Sequence, residues 1–333
     1  MPSQPRERSR TSSLGRKTRT APTEPALSGD GPEPGADSGG LGAVARRGGI
    51  IVVGGRSSRM GASKASLAWH GSTLVRRAAG IVARGVGGPV LLIRSPGQAL
   101  PRLPDAFEVL DDLEEGRGPL GGLSVGLAAL SGRCEVAYVS STDVPFLHPA
   151  FVRRVLDGLE EGSDACVPCV RGFCQPLAAA YRVGLAHLAA SLLSSGQLRV
   201  SMLAQACSLR LLDEDALLSD AALASADPGL DSVTNLNDPE DYGRAIARPE
   251  PVVQVRWLAA HPLGATNLRE GRSGPRAPRS VHAATLGRAA RAIGVSLESA
   301  TQVALNGEPV PSELEEPLAE GDLVTITGGQ PAP

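Results

Sequence analysis

From Gly49 the chain alternates two kinds of apolar signal. Short apolar-rich runs come first: Gly49-Ile-Ile-Val-Val53, Pro89-Val-Leu-Leu-Ile93, Phe107-Glu-Val-Leu110 and Val136-Ala-Tyr-Val-Ser140. Runs of this length suit strands buried on both faces of a parallel sheet. Between them lie helix-period stretches: Ser72 to Arg84 with Ser72 as expected N-cap, Gly118 to Leu130, and Pro149 to Leu159. Strand and helix in alternation predict an α/β domain with a mainly parallel sheet.

The second half is more mixed. Ala165 to Val170 and Gln175 to Tyr181 read as strands, and Gly184 to Leu193 as a helix. Asp231 to Asn237 reads as a short strand, before a helix through Ile246 with Asp238 as cap and Pro239 at its first position. Arg248-Pro-Glu-Pro251 reads as a linker. Beyond it the pattern gives a strand (252–257), a Gly/Pro/Arg-rich loop (264–279), a helix (Leu286 to Ile293), a hairpin (302–310) turning at Asn306-Gly307, and a strand (321–327). The expected domains are 48–248 and 251–330. Residues 1–47, rich in Pro, Gly, Ser and charge, are expected to stay disordered, because they bury too little to offset ordering entropy.

Composition narrows the function classes. With 33 Lys plus Arg against 35 Asp plus Glu the net charge is -2, so no basic field points to nucleic acid. No apolar run reaches the roughly 18 residues of a spanning helix. The basic start, Arg6 to Arg19, leads into no apolar h-region, so no secretory signal is expected. Five cysteines without such a signal imply reduced thiols in a cytoplasmic setting, and Cys166, Cys169 and Cys174 read as small packed thiols rather than as metal ligands. The chain has two lysines, Lys17 and Lys64, and the second lies in its most distinctive segment.

That segment is Gly54-Gly-Arg-Ser-Ser-Arg-Met-Gly-Ala-Ser-Lys64, directly after a buried strand. Sheet ligands bind at the carboxyl ends of such strands. Glycines let backbone N–H groups close on phosphate oxygens, while Arg59 offers a fork and Lys64 a point charge. The spacing is that of neither a Walker loop nor a dinucleotide fingerprint. Taken alone it is either an anion cradle or an ordinary Gly-rich turn.

With its spacing of Gly54-Gly55, Ser57-Ser58, Arg59, Met60-Gly61 and Lys64, the segment resembles the signature of the molybdenum cofactor guanylyltransferases. The likeness extends to later motifs and covers about Gly49 to Ala247. It implies a Rossmann-like nucleotidyltransferase domain, Mg²⁺ as cofactor, GTP and molybdopterin cofactor as substrates, and molybdopterin-synthesis or molybdoenzyme-maturation proteins as partners. It implies catalytic roles for Arg59, Lys64 and Asp143, with Asp143 holding the metal. Val52, Val53, Gly54, Gly55, Ser57, Lys64, Asp112, Gly118, Asp143, Asn235 and Asn237 would contact the nucleotide.

The residues that carry these roles sit in recognisable settings. Asp143 lies in Ser140-Ser-Thr-Asp-Val-Pro-Phe146, where a carboxylate either binds Mg²⁺ or caps the next helix. Asp112 follows the third strand. Gly118-Pro-Leu-Gly-Gly122 resembles a Gly-Pro-Leu-Ala-Gly loop, with Gly121 for Ala. Asn235-Leu-Asn237-Asp-Pro-Glu resembles Asn-x-Asn-Thr-Pro-Glu, with Asp238 for Thr. Gln175-Pro176 would face the acceptor, and Ile93 or Arg94 falls where relatives hold Asn. Paired Gly54-Gly55 points to the guanylyl branch, since the cytidylyl branch has Ala before Gly. A CTP-using enzyme, or one acting on another phosphorylated acceptor, is the second reading. A non-catalytic nucleotide-binding or sulfur-carrier scaffold is the third.

The segment from Val252 to Gly329 resembles the small α+β β-grasp sulfur carriers, through the Asn306-Gly307 hairpin, the Gly321-Asp-Leu-Val strand and Gly328-Gly329. Such carriers need a free terminal Gly-Gly, and this chain continues with Gln330-Pro-Ala-Pro333. An interaction-only unit of the same fold is the equal alternative.

Overall fold

A computed structural model describes residues 45–53, 63–114, 116, 118–258, 277–297 and 301–331. Within unit 44–333, one compact body, lie two principal sheets. The first half runs β1 (Ala45–Val52), β2 (Ala68–Trp69), β3 (Ser72–Thr73), α1 (Leu74–Val86), β4 (Val90–Arg94), β5 (Phe107–Asp111), α2 (Gly118–Leu130), β6 (Cys134–Ser141) and α3 (Pro149–Asp157). Then come β7 (Ala165–Val170), β8 (Phe173–Cys174), β9 (Ala178–Arg182), α4 (Ala186–Ser194), α5 (Val200–Gln205), β10 (Leu209–Leu212), α6 (Glu214–Leu218), α7 (Ala221–Ala226) and α8 (Pro239–Ile246).

These strands form one sheet in the order β10-β7-β9-β6-β1-β4-β5, with β8 paired to β7. β9 runs against both its neighbours, while β1, β4, β5 and β6 are parallel. The fold is thus the expected α/β class with a mainly parallel sheet. One core, including Ile51, Leu92, Val75, Ile81 and Phe151, lies under α1 and α3; the other, with Ile50, Leu91, Leu123 and Leu127, lies under α2. Each such fully buried aliphatic side chain contributes about 1.5–3 kcal/mol. α2 comes in close because Gly126 has no side chain: a Cβ there would stand 2.6 Å from Ile50 Cγ2.

Several elements differ from the sequence expectation. β1 begins at Ala45 rather than Gly49, because β6 starts early enough to pair Ala45 and Arg47 with Cys134 and Val136. α1 is capped by Thr73, whose hydroxyl accepts from the Arg76 N–H; Ser72 is taken up by the β2–β3 hairpin and donates to Glu315 instead. Asp231 to Asn237 is no strand: Asp231–Val233 is a 3₁₀ turn whose N–H groups at Asp231 and Ser232 bond the Asp227 carboxylate rather than a sheet. Cys169 and Cys174 are not separate thiols. They face each other across the β7–β8 hairpin and are joined in a disulfide, while Cys134 and Cys166 are free and buried.

The chain then forms β11 (Val252–Leu258), β12 (Arg279–His282), α9 (Leu286–Ala292), β13 (Val295–Ser296), β14 (Gln302–Leu305), β15 (Glu308–Val310), β16 (Leu323–Thr327) and β17 (Gln330–Pro331). The second principal sheet has the order β12-β11-β16-β14-β15, over a core of Val253, Val255, Leu286, Val324 and Ile326. Asn306 and Gly307, both at positive φ (55° and 93°), make the expected hairpin turn. After Gly328-Gly329 the chain pairs β17 with β13.

The two sheets are joined through α1. Arg76 reaches Glu313 and Glu316, Arg84 reaches Asp322, and the Arg77 guanidinium reaches the Leu318 carbonyl at 2.9 Å. Arg76 and Arg77 are 3% and 7% exposed, so these are buried charges held by specific partners.

Candidate active site

Sheet register assembles the site. Val52, the last residue of β1, stands opposite Ser141, the last of β6. Val53, which follows β1, and the loop carrying Asp143 therefore stand side by side at the carboxyl edge of the sheet. Gly54, Gly55, Ser57 and Arg59 lie outside the described residues. Lys64, which follows that segment, donates to Asp143 Oδ2 at 2.8 Å and to the Leu236 carbonyl. The backbone of Leu236 donates to the Asp143 carbonyl at 2.9 Å. Three segments remote in sequence thus close on one point.

Around it lies a cleft of about 380 Å³, lined by Val52, Pro119, Ser141, Asp143, Gln175, Pro176, Leu177, Asn235 and Asn237. That size suits a nucleotide-scale ligand. The Lys64 and Asp143 side chains are 22% and 19% exposed, reachable but partly shielded from solvent. Ser141, which sequence reasoning missed, donates to Asp143 Oδ1 at 2.6 Å and fixes the carboxylate's rotation. Its only sequence signal is its place two residues before the Asp.

The remaining expected residues take different places. Val52 and Val53 bury their side chains, so contact from them would come through the backbone. Asp112 follows β5, two strands out from β1; its N–H donates to the Arg94 carbonyl, and its carboxylate accepts from Leu113 N–H. Gly118 opens α2 at φ 62°, where a Cβ would stand 2.7 Å from the Leu198 carbonyl oxygen, so the position requires glycine. Arg94 binds Asp111 at 2.7 Å, and Ile93 is buried in the core. Asn235 and Asn237 reach the cleft from the turn that Asp227 stabilises.

The donors around Asp143 are a carboxylate, a hydroxyl and amides, the hard oxygen set a divalent cation such as Mg²⁺ prefers. Among the described residues no cluster of three or more His, Cys, Asp or Glu forms a cation cage. One carboxylate is enough where substrate phosphates complete the shell.

A family profile described as the MobA-like NTP transferase domain matches residues 49–208. A protein of Mycobacterium tuberculosis named probable molybdenum cofactor guanylyltransferase is 34% identical over 171 residues, covering 50% of this chain and 84% of that protein. The chain belongs to the MobA-like NTP transferases. A molybdenum cofactor guanylyltransferase of Desulfosudis oleivorans is 29% identical over 200 residues, 60% of this chain and 94% of the relative. The solved molybdopterin-guanine dinucleotide biosynthesis protein A of Archaeoglobus fulgidus is 20% identical, with a TM-score of 0.47, covering 60% of this chain and 96% of that one. As a MobA-like transferase the protein is a nucleotidyltransferase, and both Lys64 and Asp143 lie within the matched segment.

Proposed function

We propose that the protein transfers GMP from GTP to the phosphate of the molybdopterin cofactor, giving the guanine dinucleotide cofactor and pyrophosphate. The observation that carries this reading is the pairing of Lys64 with Asp143 beside a cleft that also presents Ser141, Asn235 and Asn237, in a chain of this family. Mg²⁺ held by Asp143 would neutralise phosphate charge at the reacting phosphorus. The chain's own residues position and bind. Lys64, drawn to phosphate oxygens, exchanges its Asp143 partner for the triphosphate and so frees the carboxylate for the cation. Ser141 keeps that carboxylate aimed. Arg59 contributes a second positive charge, and Gly54, Gly55 and Ser57 the phosphate contacts. The backbones of Val52 and Val53, with Asp112 and Gly118, contact the nucleoside, while Asn235 and Asn237 orient ligands without adding charge. Gln175 and Pro176 face the acceptor. Such chemistry rests on positioning and charge stabilisation, with no covalent nucleophile.

Within the same proposal, residues 48–248 are the catalytic part, acting in the cytoplasm, and 251–330 a β-grasp unit. The second sheet's mixed strand order and its Asn306-Gly307 hairpin support that reading. Gly329 argues against a carrier role in this form, because a Cβ there would lie 2.9 Å from the Ser296 carbonyl oxygen and the next residues pair with β13.

The test is pyrophosphate release with Mg²⁺ and molybdopterin cofactor, comparing GTP, CTP, ATP and UTP. GTP-selective release is expected. CTP selectivity would move the protein to the cytidylyl reading. No release from folded protein with a competent acceptor would overturn the activity.

A further inference from the structure

The loop that carries Asp143 is held from behind at three successive points, two of which lead into the C-terminal unit, through Leu318 and Glu320. Arg77, on α1, is buried; its Nε donates to the Pro145 carbonyl, two residues after Asp143, and its Nη1 to the Leu318 carbonyl at 2.9 Å. Phe146 lies under the Arg248 guanidinium at 4.1 Å, and Arg248 begins the connection into β11. His148 Nε2 donates to the Glu320 carbonyl at 3.1 Å, while its Nδ1 accepts from Ala150 N–H at the start of α3.

A guanidinium cannot bridge two carbonyls without fixing their separation. We infer that Arg77 is a positioning residue that couples docking of the C-terminal unit to the placement of the Asp143 carboxylate, so that the C-terminal unit serves the transfer site as a structural brace. The inference rests on Asp143 being the metal-binding carboxylate of the proposed function. Neither end of the bridge touches substrate. Its effect passes along the chain from Pro145 to Asp143, whose other constraints are the Ser141 hydroxyl, Lys64 and the Leu236 N–H. Burial holds the Arg77 guanidinium down to about 10, with the neighbouring Arg84 charge adding to the fall and Asp322 opposing it. It therefore stays charged at neutral pH and able to donate at both ends.

Groups that orient metal ligands change affinity by roughly 10–100-fold when removed. The experiment compares full-length wild type with Arg77→Met, Arg77→Lys and Arg84→Gln. Arg84→Gln loosens the same interface at Asp322 without touching the Asp143 loop. Mn²⁺ binding to each protein saturated with GTP, without acceptor, is followed by water-proton relaxation, beside thermal unfolding and the Mg²⁺ dependence of pyrophosphate release. For Arg77→Met the Mn²⁺ midpoint should rise on the order of tenfold. Arg77→Lys, which keeps the charge and can reach one carbonyl at a time, should fall in between. Arg84→Gln, which weakens the docking but leaves the Arg77 bridge in place, should lose thermal stability and shift the midpoint by less than Arg77→Met does. A midpoint in folded Arg77→Met equal to wild type, or an equal shift in Arg84→Gln, overturns the inference. If Arg77→Met does not fold, the Arg77→Lys midpoint decides by the same criterion. Wild type that binds Mn²⁺ but turns over no triphosphate would sink the proposed activity and leave the coupling to be judged on the midpoints. Wild type that binds no Mn²⁺ with GTP present overturns both.

Discussion

Lys64 Nζ and Asp143 Oδ2 are 2.8 Å apart although 79 positions separate them in the chain. Each stands at the carboxyl edge of the central sheet, one beyond β1 and the other beyond β6, and Leu236 locks the pair from a third direction. The ammonium thus satisfies the carboxylate that the proposed reaction assigns to a metal ion. In the proposed reaction, triphosphate binding would draw Lys64 away from Asp143.

Asp143→Ala should lower pyrophosphate release by roughly two orders of magnitude, the scale for losing one charge-stabilising group at a reacting centre. Folding should be largely preserved, since the side chain is partly exposed. Steady-state kinetics beside circular dichroism checks this. Activity within a few-fold of wild type would remove Asp143 from the reaction.

Lys64→Arg should fail to restore what Lys64→Met loses. A compact ammonium fits between the Asp143 carboxylate and the Leu236 carbonyl, whereas a planar fork needs a different geometry. GTP titrations of both variants read this out, and full activity in Lys64→Arg would show that position 64 supplies charge alone.

Ser141→Ala should reduce turnover about tenfold while leaving the unfolding midpoint nearly unchanged, because it removes an orienting bond to Asp143 Oδ1 rather than a packed group. Equal kinetics in wild type and variant would mean that other contacts alone aim the carboxylate.

Stability should fall as pH drops through about 6.5. Burial holds His148 below the ordinary value of 6.5 against the raising effect of its Glu320 contact, and burial likewise lowers His70 against the Glu250 charge. The unfolded chain therefore binds more protons than the folded chain in this range. The contribution is complete above 6.5 and is lost toward the lower folded values. Protonation of His148 Nδ1 would also break its bond from Ala150. Melting temperatures at about pH 7.5 and 5.5 test this; a higher value at the acid end for wild type, or an undiminished slope in His148→Gln, would contradict it.

The Cys169–Cys174 disulfide makes a countable prediction. Of five cysteines, Cys134, Cys166 and Cys207 are free. Denatured, unreduced protein should titrate three thiols, and reduced protein five. Five thiols before reduction would mean that the hairpin holds two thiols instead.

The alternation of apolar runs and helix-period stretches was enough to place β1, α1, β4, β5, α2, β6 and α3 within a few residues. The expected burial fails at β5, the sheet's outer strand, where Glu108 and Val109 are exposed. Asp231 to Asn237 escaped such reading. Its pattern resembles a strand, but the N–H groups of Asp231 and Ser232 go to the Asp227 carboxylate and that of Leu236 to the Asp143 carbonyl, partners no local pattern specifies. Ser141 is likewise an ordinary strand residue until its hydroxyl is seen on Asp143.

The sequence by itself determined the fold class, the family signature and the acid, amide and cationic groups available at strand ends, because each depends on residues close together in the chain. Only the tertiary structure decided which of those groups meet. The Val52–Ser141 register brings Lys64 to Asp143, and Leu236 arrives from 172 positions beyond Lys64. Nothing along α1 marks Arg76 and Arg77 as buried; their partners on the second sheet's unit lie more than 230 residues later and supply both carboxylates and a carbonyl. A charged side chain can leave water only where such partners are already fixed in space, and sequence spacing alone does not fix them.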